Sequence, residues 1–200
     1  MPNKIGDIST GEMYGMSMDC LHGDVDSNGV LQNPSVASFT FTSNDIKILP
    51  DYALYYRFYQ NTGITSLSLP NLTDIGSSVM YYAFSGCTSL TSVYLSSLSS
   101  VGYDGMLRAF YRCTSLTNVD LSSLSSVGTN GMYSTFQGCT ALQEVKFNNA
   151  TAIPAITSNT FNNTNSTFKI VVPDALYSQW IVATNWSARA SQIVKASEYI

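Results

Sequence analysis

The feature that most constrains this chain is a repeat of 26 residues. The stretch AFSGCTSLTSVYLSSLSSVGYDGM, at 83–106, returns as AFYRCTSLTNVDLSSLSSVGTNGM at 109–132. Each copy begins with a phenylalanine, and these are Phe58, Phe84, Phe110, Phe136 and, in a shortened copy, Phe161. A fixed period of this length, carried by apolar columns, predicts a solenoid in which each copy forms one coil of the chain.

Within each copy, two apolar columns nine and eleven residues after the phenylalanine are separated by a polar residue, as in the stretch SVYL at 92–95. This alternation predicts a short, half-buried strand, so we expect each coil to add one parallel strand. Further apolar columns bury the return path of the coil. The glycines that follow them, Gly76, Gly102 and Gly128, are interpreted as positions that need a positive φ.

The segment that closes each coil carries apolar residues three and four positions apart, for example Met80 and Phe84. This is the spacing of one helical face, and it predicts that a helical turn closes the coil. One column beside that face is predicted to lie in the core, and it contains Tyr55, Tyr81, Leu107 and Tyr133.

The phrase A-F-x-x-C-T-S-L-T-x-V-x-L-x-S-L resembles the BspA-like, or Treponema-type, leucine-rich repeat of many bacterial surface proteins and some phage-encoded proteins. The resemblance covers roughly Leu54 to Val172. It implies an α/β repeat solenoid, a right-handed coil with one short parallel β-strand per repeat and short helical or 3-10 turns on the other side. These coils are a few residues longer than the common form, in their Gly-rich return loop.

The chain is divided accordingly into an N-terminal β cap at 1–37, a solenoid of about five coils at 38–172 with clear repeats from 54, and a C-terminal helical cap at 173–200. Asp174 is expected to cap the terminal helix. Trp180 and Trp186 are interpreted as a plug over the last coil rather than as ligand-stacking aromatics. The phrase VPDALYSQW that begins at Val172 also resembles the end of repeat proteins encoded in phage and prophage tail regions.

Composition excludes some classes of partner. Charged residues make up 11% of the chain, the net charge is −4 and the pI is about 4.7, which argues against binding to nucleic acid. No apolar run approaches the roughly 20 residues of a membrane span. No apolar segment follows Met1 to Asp7 to form a signal peptide, so we expect none in this chain. The uncharged polar surface is typical of extracellular solenoids. The two resemblances imply a location that is extracellular or at the cell surface, or in a virion or tail particle.

The inventory of reactive side chains does not favour an enzyme. The chain has one histidine, His22, outside the repeats. Cys87, Cys113 and Cys139 stand three residues after the repeat phenylalanine, and we expect them to be buried, reduced thiols that pack as small apolar groups. Nucleophilic catalysis needs an activated thiol or hydroxyl beside a base, so no catalytic residue and no cofactor are predicted.

One segment has a partial metal signature. Asp24, Asp26 and Asn28, followed by Gly29, match the first half of a calcium loop, but position twelve is Ser35 where a bidentate acid belongs. A plain turn between short strands is the preferred interpretation. Alternate side chains from Cys20 to Asp26 are likewise interpreted as a polar strand face, and no metal site is predicted.

Candidate binding residues are the outward positions of the predicted strands, eight and ten residues after the phenylalanine. They differ in every coil while the columns between them stay apolar, which suits recognition of an extended protein or glycan on a cell surface, although any solvated face tolerates variation. This strand face contains Ser66, Ser68, Ser92, Tyr94, Asn118, Asp120, Glu144 and Lys146. An alternative aromatic surface on the closing turns contains Tyr56, Tyr59, Tyr82 and Tyr111.

The resulting prediction is a non-catalytic recognition or adhesion module at a bacterial surface, which the BspA-like resemblance implies. The alternative is a structural or receptor-binding component of a phage or prophage-derived tail. Two substitutions test the predicted strand register. Leu116→Ala empties part of a core column and should reduce the free energy of unfolding by about 2–5 kcal/mol. Asp120→Ala lies on the solvent face and should reduce it by less than about 0.5 kcal/mol.

Overall fold

The computed structural model describes residues 39–42 and 46–199. The predicted N-terminal cap lies outside this range, and with it lie Asp24, Asp26, Asn28, Cys20 and His22. The division into caps and solenoid stays a prediction.

The described chain winds into stacked coils that form two parallel sheets. Its strands in chain order are β1 Phe39–Thr42, β2 Ile48–Leu49, β3 Ile64–Ser68, β4 Asp74–Ile75, β5 Ser92–Tyr94, β6 Ser100–Val101, β7 Asn118–Asp120, β8 Ser126–Val127, β9 Glu144–Lys146, β10 Lys169–Val172 and β11 Ile193–Lys195. The larger sheet has the order β1-β3-β5-β7-β9-β10-β11, and the smaller has the order β2-β4-β6-β8. The predicted solenoid with one principal parallel strand per coil is confirmed.

The register follows the repeat. Leu67, Val93, Val119 and Val145 are aligned across β3, β5, β7 and β9, and all four are buried. Side chains alternate across a strand, so burial of this column turns the residues on either side of it toward solvent.

The core is a set of columns that run along the solenoid. The five repeat phenylalanines are stacked, with neighbouring ring centroids 5.0 to 5.7 Å apart and nearly parallel. Cys87, Cys113 and Cys139 are free and buried, as their column predicts, and each thiol donates to a phenylalanine carbonyl of the preceding coil at 2.9 to 3.1 Å.

The closing segments are ribbons of consecutive turns. Each turn has the i→i−3 bond of a 3-10 turn, as from the Tyr55 N–H to the Tyr52 carbonyl at 3.1 Å, while the intervening Leu54 N–H donates to Val79 of the next coil at 2.9 Å. Tyr52 and Tyr56 have φ of 62° and 55°. Every fourth residue is thus left-handed, which keeps the turns from propagating as a helix and lets alternate N–H groups reach the neighbouring coil.

The return-path glycines have a different role from the expected one. Gly76, Gly102 and Gly128 do not have a positive φ; the glycines that do are Gly86 and Gly138. A Cβ at Gly102 would lie 2.8 Å from the carbonyl carbon of Gly76, and one at Gly128 would lie 3.1 Å from that of Gly102. The column is glycine because successive backbones approach too closely for a side chain.

The C-terminal segment closes the solenoid with short helices and one strand. A 3-10 turn at Asp174–Leu176, the helix α1 Tyr177–Trp180 and a 3-10 turn at Ser187–Gln192 precede β11, which adds an unexpected seventh strand beside β10. Trp180 and Trp186 are buried against Phe147, with ring centroids 5.7 and 5.5 Å from it. They plug the last coil, as predicted.

Asp174 does not cap the terminal helix. It is the first residue of the 3-10 turn, and its carboxylate accepts from the Ser197 N–H at 3.1 Å and from the Ser197 hydroxyl. The carboxylate instead ties the two ends of the C-terminal segment together, and the bonds to Ser197 lower the pKa of Asp174.

Candidate functional site

The strand face exists as two adjacent rows on the outer side of the larger sheet. Ser66, Ser92, Asn118 and Glu144 are aligned in one row, and Ser68, Tyr94, Asp120 and Lys146 in the other. All eight side chains are partly or fully exposed, and Tyr94 is the most open at 43%. The structure therefore brings together every predicted residue of this face, while their role in binding stays a prediction.

The C-terminal half of the face is held by contacts within it. Lys146 forms an ion pair with Glu144 at 3.1 Å. Asp120 accepts from the Ser122 N–H at 3.0 Å and from the Ser122 hydroxyl, and that hydroxyl also lies 2.8 Å from Asn148 of the next coil. Asp120 is consequently part of a turn and not a free solvent-face residue, so the expectation that its truncation costs almost nothing no longer follows from the structure.

The face extends one coil farther than the repeat pattern indicated. Lys169 of β10 is aligned with Glu144, and Tyr199 borders the same corner. Burial raises the pKa of Tyr199, and its hydrogen bond with Glu144 and the charge of that carboxylate raise it further. Both residues were missed because the last repeat is shortened and Tyr199 lies far along the chain.

Threonine hydroxyls form hydrogen bonds between successive coils along the border of this face. The Thr91 hydroxyl donates to the Thr65 carbonyl at 3.0 Å, and the Thr117 hydroxyl donates to the Thr91 carbonyl at 3.0 Å. Because these bonds run between coils rather than between the outward side chains, they hold the sheet without fixing which residues the rows carry.

The tyrosines of the closing turns form a second surface, here called the tyrosine face: Tyr52, Tyr55, Tyr56, Tyr59, Tyr81, Tyr82 and Tyr111. Tyr55 is stacked on Tyr81 at 4.9 Å and 13°, and Tyr56 on Tyr82 at 5.0 Å and 5°. Ring planes that lie against each other along the solenoid leave edges and hydroxyls toward solvent, and do not leave faces for a sugar ring.

The prediction that Tyr55, Tyr81 and Tyr133 lie in the core is wrong. Tyr55 is 43% exposed, and Tyr81 and Tyr133 are half-buried. The prediction assumed a helical turn, but the consecutive turns with left-handed residues direct this column outward, beside the buried Leu54 and Met80 columns.

Arginines cover the remaining ring surface of the tyrosine face. The Arg108 guanidinium lies 5.4 Å from the ring centroids of both Tyr82 and Tyr111, and Arg112 lies 5.2 Å from that of Tyr111. Arg108 also donates to the Tyr82 hydroxyl. These cation–π contacts stabilise the rings where the tyrosine column ends.

Crowding perturbs the tyrosine hydroxyls. Burial raises the pKa of Tyr56 to about 12, with further contributions from the charges that Tyr82, Tyr81 and the other neighbouring phenols would carry. Burial likewise raises the pKa of Tyr81. Tyr56 and Tyr81 are therefore neutral phenols at ordinary pH.

The repeat cysteines are poor nucleophiles. Burial raises the pKa of Cys87 and of Cys139 to about 12, and burial raises that of Cys113 as well. A thiol that stays protonated near neutral pH lacks the thiolate that attacks or binds metal.

Residues 39–42 and 46–199 bring together no group of three or more His, Cys, Asp or Glu side chains that could hold a metal ion. The same residues contain no helix that is long and apolar enough to cross a membrane.

The family described as BspA type Leucine rich repeat region matches residues 53–179 in six copies. Among solved structures, the T. pallidum leucine rich repeat protein (TpLRR) is similar, with 18% sequence identity and a TM-score of 0.48, over 80% of this chain and 72% of that chain. No curated protein matches this chain. Because the family match spans more than half of the 200 residues and coincides with the stacked coils, the chain belongs to the BspA type leucine-rich repeat proteins.

Proposed function

We propose that the strand face binds an extended segment of a protein partner at a bacterial surface, without catalysis. A leucine-rich repeat solenoid suggests a protein-interaction or recognition module. The observation that carries the proposal is the pair of outward rows on β3, β5, β7 and β9. Each coil presents a different pair of outward residues, while the buried column between them stays Leu or Val.

The dimensions of the rows suit an extended partner. Neighbouring strands of a sheet lie about 4.8 Å apart, so the four strands span roughly 14 Å. That distance corresponds to about four residues of extended chain laid across the sheet. The partner would meet each coil in turn, and each coil offers different side chains.

The two ends of the rows differ in chemistry, so a partner should lie across them in one orientation. Serines occupy the N-terminal side, Tyr94 stands in the middle, and Asp120, Glu144, Lys146 and Lys169 place charges of both signs on the C-terminal side. An exposed tyrosine flanked by polar residues is the type of anchor that dominates binding energy in protein interfaces. Hydrogen-bonding groups around it would fix register more than affinity.

The same face would also serve as the receptor-binding surface of a phage or prophage-derived tail component. The C-terminal phrase at 172–180 favours this second setting. Sedimentation of the purified protein separates the two settings, because a trimer would favour the tail component and a monomer would favour the surface module.

The test is binding of the purified chain to arrays of extracellular-matrix proteins, bacterial cell-wall fractions and glycans, followed by biolayer interferometry on each hit. Tyr94→Ala/Asp120→Asn removes the anchor and one charge while it keeps an amide oxygen to accept from Ser122. We expect this variant to weaken binding at least tenfold, a loss of about 1.4 kcal/mol.

The matched control is Tyr103→Ala, which removes a tyrosine of similar exposure, 56%, from a different surface. It should change affinity less than about twofold. A protein hit that is indifferent to the Tyr94 variant would contradict the proposal. A hit confined to glycans would replace the protein partner with a carbohydrate.

A further inference from the structure

The smaller sheet stops at β8 for a reason that is visible in the sequence. In the earlier coils the N–H of the return-path glycine donates to the coil before it, from Gly102 to Ile75 at 2.8 Å and from Gly128 to Val101 at 2.7 Å. The residue 26 positions after Gly128 is Pro154, which has no N–H. Within residues 46–199, no backbone donor reaches the Val127 carbonyl.

Backbone N–H groups on the same turn also lack an acceptor in the described part of the chain. In the preceding coils the equivalent N–H groups donate to the next coil, for example from Asp104 to Thr129 at 3.1 Å and from Met106 to Gly131 at 2.8 Å. The corresponding N–H groups of Asn130 and Met132 reach no carbonyl in the described part of the chain. The next backbone N–H that donates to the following coil is that of Phe136, which bonds to Thr160 at 3.0 Å. The Thr160 hydroxyl also donates to the Met132 carbonyl at 2.8 Å.

The C-terminal cap bonds to the coil that follows β8. The Trp186 indole N–H donates to the Pro154 carbonyl at 2.8 Å, and the Asn185 amide donates to the Ile156 carbonyl at 2.6 Å. An open cleft of about 290 Å³ lies between the segments 127–132 and 155–157. None of the nine residues that line it is charged.

We propose that this cleft binds an extended, uncharged peptide segment of a partner protein, which pairs in parallel with β8. The segment accepts from the Asn130 and Met132 N–H groups and donates to the Val127 carbonyl, as one coil does to the next elsewhere in the solenoid. Addition of a strand to an exposed sheet edge draws its affinity from such main-chain bonds.

The unpaired main-chain groups of the cleft argue for an extended backbone. A helix satisfies its own N–H and carbonyl groups within the segment, so it would offer none to the Val127 carbonyl or to the Asn130 and Met132 N–H groups. A peptide in extended conformation offers both kinds of group, provided that its side chains are small where the backbones meet. Val127, the half-buried apolar residue of the lining, would contact one apolar side chain of the peptide.

The preceding coils define which peptide fits. The segments that pair with β4 and β6 read Val-Gly-Tyr-Asp-Gly at 101–105 and Val-Gly-Thr-Asn-Gly at 127–131. The first glycine of each lies where a Cβ would meet the glycine backbone of the preceding coil. A partner segment should therefore carry an apolar residue followed by Gly-x-x-Gly.

The test uses the full chain and a synthetic peptide with the sequence SSVGTNGMY, which is that of residues 125–133. Amide hydrogen exchange of the protein is measured with and without the peptide. We expect the Asn130 and Met132 amides to exchange at least tenfold more slowly at saturation, with a Kd below about 1 mM. A control peptide with proline in place of the first glycine should give no protection.

A second variant should fill the cleft with the chain's own next coil. Pro154→Gly restores the donor that the other coils have, so the chain should pair with its own β8 and bind the peptide at least tenfold more weakly. Tyr94→Ala/Asp120→Asn on the strand face should leave peptide binding unchanged, which separates this proposal from the proposed function.

Absence of saturable binding, or equal protection by the proline peptide, would overturn the proposal. Unchanged binding by a folded Pro154→Gly chain would also overturn it, because the peptide would then not occupy the position that the next coil takes. If Pro154→Gly does not fold, the exchange pattern of the unsubstituted chain decides the question alone.

Discussion

The strand face and the tyrosine face repeat with the same period but are held together in different ways. On the strand face, successive coils are joined mainly by the backbone ladder, and the outward residues change from serine to tyrosine to charged groups. On the tyrosine face, side chains join the coils, with rings stacked at 4.9 and 5.0 Å and an arginine over the last of them. A surface whose side chains do not join successive coils is free to vary, whereas a surface whose side chains join them is not.

The need for side-chain contacts on the tyrosine face follows from its backbone. Left-handed conformations of non-glycine residues cost roughly 1–2 kcal/mol each, and Tyr56, Tyr82 and Arg108 all adopt them. Hydrogen bonds between coils and aromatic pairs, each worth about 0.5–1.5 kcal/mol, offset that cost. The strands of the opposite face have ordinary conformations and need no such compensation.

A substitution in the core between the two faces should have the largest effect on the free energy of unfolding. Leu116 is fully buried in a column with Leu90 and Leu142, so Leu116→Ala should reduce the free energy of unfolding by about 2–5 kcal/mol. Urea denaturation measures it, with Tyr94→Ala as a control that should cost less than about 0.5 kcal/mol. Similar losses in the two variants would contradict the assignment of Tyr94 to a free surface.

Removal of one stacked ring tests the tyrosine face. Tyr82→Ala loses the stack with Tyr56 at 5.0 Å and the cation–π contact with Arg108 at 5.4 Å. We expect a loss of about 1–3 kcal/mol in thermal or urea unfolding. Tyr103→Ala is the matched control, because this exposed tyrosine has no ring neighbour in the described structure, and it should cost less than about 0.5 kcal/mol. Equal effects would mean that the stack does not stabilise the solenoid.

One residue of the strand face should depart from the rule that this face is free to vary. Asp120→Ala removes the acceptor for the Ser122 N–H and hydroxyl, so it should cost about 1 kcal/mol in urea denaturation. Asp120→Asn keeps an oxygen acceptor and should cost less than half as much. If both substitutions are neutral, Asp120 belongs with the residues that can vary, and the difference between the two faces is larger than proposed.

The ionisation of Tyr56 provides a test at high pH. Its pKa is raised to about 12 in the folded chain, from an ordinary value of about 10, so folding favours the protonated phenol. This contribution to stability is complete below pH 10 and is lost as pH rises from about 10 through about 12, where the unfolded chain ionises first. Tyr56→Phe should show a shallower loss than the unsubstituted chain when urea unfolding is measured across this range. An equal loss in the two chains would contradict the role of the Tyr56 hydroxyl.

Much of the fold could be predicted because the columns of the repeat report burial directly. The alternation around Val93 and Val119 placed the strands, their register and all eight outward residues of the strand face. The closing turns could not be predicted in the same way. Buried residues four apart, such as Leu54 and Phe58, suit both a helix and a ribbon of turns, and only the left-handed backbone at Tyr56 distinguishes the two.

By itself, the sequence determined the solenoid, its period and its strand face, because each copy can bury its apolar columns only against the next copy. The tertiary structure decided which aromatic rings point outward and why a column of glycines is required, since both depend on how closely two coils approach. It also decided where the smaller sheet ends. Pro154 is visible in the sequence. Only the folded chain shows that the Val127 carbonyl has no backbone donor within residues 46–199, and that Trp186 and Asn185, far along the chain, bond to the next coil.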